Sequence, residues 1–333
     1  MSTAYEEYSS KYRTPETPAT VKDARRILEE RGQYNQSLLS KPPFDVLDKA
    51  VNVTNTTVQL PEMPGHDFLL RVYKPKDYSG SSLPIMCYFH GDFWCTGNAN
   101  SKDFGCRAII ARGTAIIIAS FEYRLVPEVT WQECFNDAEY AMKWVAAKAC
   151  TLGGDPTKGF PVGGATAGAH LAAICAIRAR NRHPNIKLTG QCLIVPTTLA
   201  WPNDKIPSEW KERLKSHTEM ADAPVLNEKL YEAYVQLLKI PDDEKRNGEN
   251  FPAWASLEGL PPAYLPMDEC DPTRDQGFLY ANLLRKAGVL TRVDYYEGLP
   301  NMFVHYAELS TTLTAGYNLS AAVKWLLQHE DKK

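Results

Sequence analysis

The chain has 333 residues, 44% hydrophobic and 23% charged, with 37 basic against 40 acidic side chains and a formal net charge of −3. These fractions are those of a folded globular protein, and they exclude disordered, collagen-like and disulfide-scaffold readings. The near-neutral charge, with no long basic run, argues against an electrostatic nucleic-acid binder. No apolar stretch approaches the roughly 20 residues of a membrane-spanning helix, and Met1 to Thr14 lack the apolar core of a signal peptide, so an intracellular, cytoplasmic protein is expected.

Taken in chain order, residues 1–50 are polar and helix-prone, with Val21, Ala24, Ile27 and Leu28 giving a loose helical spacing between Thr20 and Gly32. A strand pair follows, Val51–Leu60 and Phe68–Tyr73. Short, continuously apolar runs then recur at Ile85–Phe89, Ala115–Phe121, Phe160–Val162, Gln191–Val195, Ala263–Met267 and Leu290–Tyr296. Runs of this kind are what strands buried on both faces of a parallel sheet look like. Helical periods separate them: Phe135 to Val145, the small-residue stretch Ala167–Arg180, Gly277–Ala287 and Ala307–Leu327. The alternation predicts a doubly wound α/β fold, an eight-stranded, mostly parallel sheet flanked by helices, with the first strand pair as its antiparallel edge.

Between Trp201 and Trp254 the strand signal stops, and only charged amphipathic helix such as Glu228–Lys239 remains. This gives an expected organisation of an N-terminal lid (residues 1–50) and one α/β domain (51–333), with a helical cap inserted at about 202–252. Caps over the C-terminal ends of parallel strands close ligand crevices. The eight cysteines are scattered without C-x-x-C or zinc spacing, several within apolar runs, and read as small core hydrophobes in a reducing compartment. No metal and no cofactor is expected, since neither a metal-ligand cluster nor a nucleotide-binding glycine motif is present. The Asn52 and Asn55 sequons carry no information without a secretory route.

Three segments carry chemistry. His90-Gly91-Asp92-Phe93-Trp94 follows a buried strand. Gly164-Ala165-Thr166-Ala167-Gly168 joins a strand to a helix, with the G-x-T-x-G shape of a nucleophile elbow. Asp271-Pro272-Thr273-Arg274-Asp275 pairs with Gly298-Leu299-Pro300-Asn301-Met302-Phe303. With Glu122-Tyr123-Arg124, Asp137-Ala138 and Lys143-Trp144-Val145 in order between them, the chain from about Leu83 onward resembles the hormone-sensitive-lipase-like esterases of the α/β-hydrolase superfamily.

The resemblance implies a Ser–His–Asp triad and an oxyanion hole built on a His-Gly-Gly-Gly turn. At those positions this chain has Thr166 for the serine, Asn301 for the histidine, and Asp92 and Phe93 for two of the glycines; Asp271 alone is kept. Asn301 cannot take a proton from a hydroxyl, and a carboxylate near the oxyanion site opposes the charge that ester hydrolysis develops there. A repurposed pocket is therefore expected. Asp92, partly desolvated by Phe93 and Trp94, would have a raised pKa and serve as general acid or base, while Thr166, Asn301 and Asp271 orient the substrate. His90, Gly91, Phe93, Trp94, Ala167 and His305 are candidate substrate contacts, with His305 also a candidate substitute base.

Plainer readings stand beside these. Asp92 can be a solvent-facing turn residue, and Thr166 filler at a decayed elbow. Asn301 can merely preserve a hydrogen bond to Asp271. His305 can be a packing residue, and His170, Phe93 and Trp94 parts of the core. Triad-deficient relatives include plant alkaloid cyclases, and related proteins recur in fungal polyketide and terpenoid pathways. The resemblance thus implies cyclisation, isomerisation, aldol-type or elimination chemistry on a small hydrophobic substrate. The alternatives are a small-molecule-binding pseudoenzyme like the gibberellin receptor and an esterase with a degenerate threonine site. Homodimers are common in the family.

Overall fold

The computed structural model describes residues 4, 6–8, 20–80 and 82–328. In chain order it gives α1 (Val21–Leu38), α2 (Asp45–Ala50), β1 (Val51–Gln59), β2 (Asp67–Pro75), β3 (Ile85–Phe89), α3 (Asp103–Ala111), β4 (Ile117–Phe121), α4 (Trp131–Lys148), β5 (Pro161–Ala165), α5 (Ala167–Arg182) and β6 (Gly190–Ile194). It continues with α6 (Ser208–Lys211), α7 (Ser216–Glu219), α8 (Glu228–Leu237), β7 (Ala263–Cys270), α9 (Arg274–Lys286), β8 (Thr291–Pro300) and α10 (Ser310–Gln328). The eight strands form one sheet in the order β1-β2-β4-β3-β5-β6-β7-β8. β2 runs antiparallel to β1 and to β4, and every other pair is parallel. The expected α/β-hydrolase sheet, with its antiparallel edge, is the fold.

The central strands β3, β4 and β5 are buried at every position, so their sequences lack the in–out alternation of a one-faced sheet. One sheet face packs Cys87, Phe89 and Val162 against α4 and α5; the other packs Met86, Tyr88 and Tyr264 with α3 and α10. Helix α4 starts where Thr130 and Glu133 form a reciprocal capping box. Sequence periodicity located the long helices but ended α1 six residues early and passed over α2 and α3. Those two are short, and α3 mixes Asp103 and Arg107 into its buried face, which blurs an apolar stripe.

The segment from 201 to 254 contains α6, α7 and α8 and no strand, as its composition implies. Tyr231 and Tyr234 of α8 are buried against Phe93, so this segment covers the sheet's C-terminal edge. Helix α1 lies on the same side. Arg25 donates to the Cys95 and Val126 carbonyls and pairs with Glu128, while Asn35 donates to the His305 carbonyl. Of the expected lid, residues 1–3, 5 and 9–19 lie outside the described residues.

Two glycines let the elbow helix seat on the sheet. A side chain at Gly168 would drive its Cβ into the Phe89 and His90 carbonyl oxygens, and one at Gly164 would meet the Gly168 backbone. Backbone cannot retreat as a flexible side chain can. Gly168→Ala is expected to cost at least about 3 kcal/mol in urea unfolding, whereas Gly113→Ala, with open space but a φ of +103°, is expected to cost only about 1 kcal/mol.

Candidate functional site

Thr166 sits between β5 and α5 at φ 48°, ψ −113°, the strained elbow conformation that lifts its side chain out of the sheet. Its amide donates to the Ile194 carbonyl at 2.8 Å, which anchors the turn to β6. Opposite stands the turn after β3. Asp92, Phe93 and Trp94 all have positive φ (78°, 58° and 61°), a run of left-handed residues at positions where the related esterases use glycine for at least the first two. The surroundings hold them there. Tyr123 donates to the His90 and Gly91 carbonyls at 3.1 and 3.3 Å, and Thr96 bonds to the Asp92 carbonyl through its hydroxyl and its amide. The Asp92 amide is thereby aimed at Thr166 and donates to Oγ1 at 2.8 Å. The oxyanion-type N–H survives the loss of its glycine.

The Asp92 side chain follows a different course from either expectation. It does not face solvent, being 4% exposed, and it is not an isolated carboxyl of raised pKa. Oδ1 pairs at 2.8 Å with Lys102 Nζ, itself 5% exposed. Burial works to raise the Asp92 carboxyl, but Lys102, with smaller help from His305 and His90, outweighs it, and the net direction is down. Burial also pulls the Lys102 ammonium below its ordinary value against the opposing pull of Asp92. Both stay charged, because neutralising either forfeits a charge-assisted bond in a dry site. Asp92 is therefore an ion, not a general acid or base poised near neutrality. Its charge is cancelled in place, which also removes the expected electrostatic penalty at the oxyanion position.

Lys102 makes a second bond, 2.6 Å to His305 Nε2. Burial first, then the neighbouring ammonium, lower His305 to about 3, so the imidazole is neutral and its Nε2 accepts. His305 is thus committed to Lys102 and is not a substitute base for Thr166. Neither lysine nor pairing stood out in the sequence. The available signal was Asp92 itself: a carboxylate beside Phe93 and Trp94, if buried, requires a cation.

The kept acid lies under the other turn. Asp271 Oδ1 accepts from the Thr273 amide (2.7 Å) and hydroxyl (2.8 Å), and Oδ2 accepts from Asn301 Nδ2 at 2.8 Å. Burial raises this carboxyl, with the Asn301 and Thr273 bonds opposing. Asn301 thus reproduces the hydrogen bond a histidine would make and offers no proton acceptor. Among the described residues, the one hydrogen bond made by Thr166 Oγ1 is the one it accepts from Asp92.

The other candidates divide. Phe93 stacks on Tyr234 at 5.0 Å and meets Tyr231 edge-on, so it joins turn to cap. Trp94 is fully buried and donates to His170 Nδ1, while His170 Nε2 bonds the Asn250 carbonyl; both are core residues. His90 is buried, stacks on Tyr123 at 4.2 Å and is lowered by burial to about 4, which places it beneath the turn. Gly91 has no room for a side chain, since a Cβ would lie 2.6 Å from Thr166 Oγ1. Ala167 opens α5 beside Thr166. Six of the cysteines are buried and none is disulfide-bonded, although Cys150 is exposed and Cys270 half-buried. Among the described residues no cluster suited to a metal occurs, and no helix is long and apolar enough to cross a membrane.

An eight-stranded α/β sheet with a strained elbow, an amide aimed at it and an acid after β7 defines the class of the α/β hydrolases. The model of the α/β-hydrolase-fold family matches residues 86–305, and the chain belongs to that family. It is 36% identical over 245 residues to carboxylesterase NlhH of Mycobacterium tuberculosis (72% of each chain). It is 30% identical over 260 residues to versiconal hemiacetal acetate esterase of Dothistroma septosporum (77% of each). Among solved structures it is similar to vibralactone cyclase, with a TM-score of 0.86 and 27% identity, covering 98% of this chain and 94% of that one.

The ion pair can be tested by a double-mutant cycle. Lys102→Met strands a buried carboxylate and is expected to cost about 3–5 kcal/mol in denaturant unfolding, with much of it recovered in Asp92→Asn/Lys102→Met. Because the folded Asp92 value is depressed, its stabilisation is present above about pH 4 and is lost as the pH falls through the lower folded value. The double variant is expected to lose less stability on acidification than the wild type.

Proposed function

We propose that this protein is a non-hydrolytic α/β-hydrolase-fold enzyme that cyclises or isomerises a small hydrophobic natural-product intermediate. The observation that carries the reading is Asn301 in the loop after β8: its amide keeps the hydrogen bond to Asp271 but has no basic nitrogen to take a proton from Thr166. The oxyanion-type donor remains, and the Asp92 charge beside it is neutralised by Lys102. A site that polarises a carbonyl without activating water favours attack by a group of the substrate itself, with ring closure or rearrangement as the outcome. Thr166 and the Asp92 amide hold the substrate oxygen, Asp271 and Asn301 fix the far wall, and Phe93 with the cap tyrosines excludes water. The acid–base role expected of Asp92 becomes a structural one. The fold likeness to a cyclase supports this reading, while the relatives named as esterases make hydrolysis the outcome to be tested against.

Two measurements decide. With p-nitrophenyl butyrate, the wild type is expected to show no turnover above Thr166→Ala, while Thr166→Ser/Asn301→His gains at least about tenfold, because Asp271 is already placed to orient the new imidazole. With metabolite extract from the organism lacking the gene, the added protein is expected to convert a compound into one of unchanged mass. Thr166-dependent ester turnover by the wild type, or products whose masses together equal the substrate plus one water, overturns the proposal.

A further inference from the structure

One buried polar network ties the helical cap to the core. Gln276 of α9 and Tyr231 of α8 are fully buried, and His217 of α7 is 3% exposed. The Gln276 side-chain oxygen accepts from the Thr198 and Leu199 amides, each at 3.0 Å, so its amide cannot turn over without stranding two buried backbone donors. Its Nε2 therefore points at the cap. There it lies 3.0 Å from the Tyr231 hydroxyl, which donates on to the Leu199 carbonyl, and 3.1 Å from His217 Nε2. The orientation settles the histidine tautomer. Nε2 accepts from Gln276, while Nδ1 carries the proton and donates to Glu228 Oε2 at 2.8 Å. Trp201 completes the group, stacked on the imidazole at 4.3 Å and donating to Glu228 Oε1.

A second proton on His217 has one place to go, Nε2, where it meets the Gln276 NH2 donor to donor. Both groups then lack an acceptor in a dry joint. Glu228 attracts that proton, but Glu228, Trp201 and Tyr231 belong to the same 201–254 segment as His217 and accompany it wherever the cap stands. Their pull is the same with the cap seated or lifted. Gln276 belongs to the core, so its opposition exists only in the seated state. The core charges on this side are engaged elsewhere. Asp275 accepts from the Ser216 amide and pairs with Arg274, which also pairs with Glu219. Asp271 lies within electrostatic reach of the imidazole but makes its bonds to Thr273 and Asn301. By linkage, a proton disfavoured by the seated cap is one whose binding favours the lifted cap.

We propose that the His217–Gln276 contact is a proton-sensitive latch that seats the cap near neutral pH and releases it on acidification. Histidine is the side chain whose charge ordinarily changes between about pH 5 and 8. The latch acts on the pocket through α8. Tyr231 and Tyr234 pack on Phe93, so lifting the cap removes the aromatic cover of the turn after β3. The proposal does not depend on the chemistry at Thr166.

Hydrogen exchange followed by mass spectrometry on the full chain, corrected for the intrinsic pH dependence of exchange, reads the latch without a substrate. From about pH 7.5 to about pH 5.5, protection of the α7 and α8 amides is expected to fall at least about fivefold in the wild type, while that of β3 and β5 stays constant. His217→Gln cannot take up the proton and is expected to show no such fall. Gln276→Glu puts an acceptor opposite Nε2, and its α7 and α8 protection is expected to hold or rise on acidification. Wild-type protection that does not fall, a fall undiminished in His217→Gln, or a folded Gln276→Glu with the wild-type response overturns the proposal. A fall that extends equally to β3 and β5 is global unfolding and overturns it as well. Should Gln276→Glu not fold, as read by circular dichroism, the wild type against His217→Gln decides.

Discussion

The Asp92–Lys102 ion pair is the interaction on which the site depends. A carboxylate in the oxyanion turn would by itself be a misplaced charge, unpaired in a region with almost no water. Lys102, from the segment that begins α3, cancels it at 2.8 Å and reaches on to His305 beyond β8. One ammonium thus ties together the turn after β3, the start of α3 and the segment after β8. The price is two buried ions, so the pair adds less to stability than to definition: it fixes where each segment stops. The backbone carries a related cost. Three successive residues at positive φ are each strained, and they persist because Tyr123, Thr96 and the packing of Phe93 on α8 leave them no alternative.

The fold was legible in the sequence because its determinants are local. Strands such as Ile85–Phe89 and Ile117–Phe121 are buried on both faces and are written as unbroken apolar runs. The family's motifs also explain themselves in the structure. Glu122 accepts the Ala99 amide, Tyr123 props the His90–Gly91 turn, and Arg124 forks onto buried Asp137, so this stretch holds the loops around the site. The site was legible in its backbone positions and not in its side-chain partnerships. Thr166, Asn301 and Asp271 stand where the motif places them. The environment of Asp92 was misread, because a pKa depends on what folds against a group and Lys102 is ten residues away. His305 failed as a substitute base for the same reason, its partner being 203 residues distant in sequence.

The turn after β3 keeps an amide aimed at the elbow, and the loop after β8 carries Asn301, whose amide is not a base. These two features reside on different loops, and both loops keep their place on the scaffold. The turn after β3 retains its amide direction although its glycine composition is gone. The loop after β8 retains its hydrogen bond to the acid although its proton acceptor is gone. Substitution has changed the side chains of both loops while preserving their shape.

The five residues from Asn301 to His305 have a consequence of their own. Asn301 bonds Asp271, the Met302 amide bonds Asp268, and His305 accepts from Lys102, so one short segment with a left-handed residue at its second position is attached to three separate titratable side chains. Met302 to His305 also line a cavity of about 90 Å³ on the sheet face that carries α3 and α10. Such a segment cannot shift for one neighbour alone. Any occupant that displaces it on one side changes the free energy of occupation on the other, and by thermodynamic linkage the effect is equal in the reverse direction. This stretch of main chain thus reaches both the elbow side and the back of the sheet.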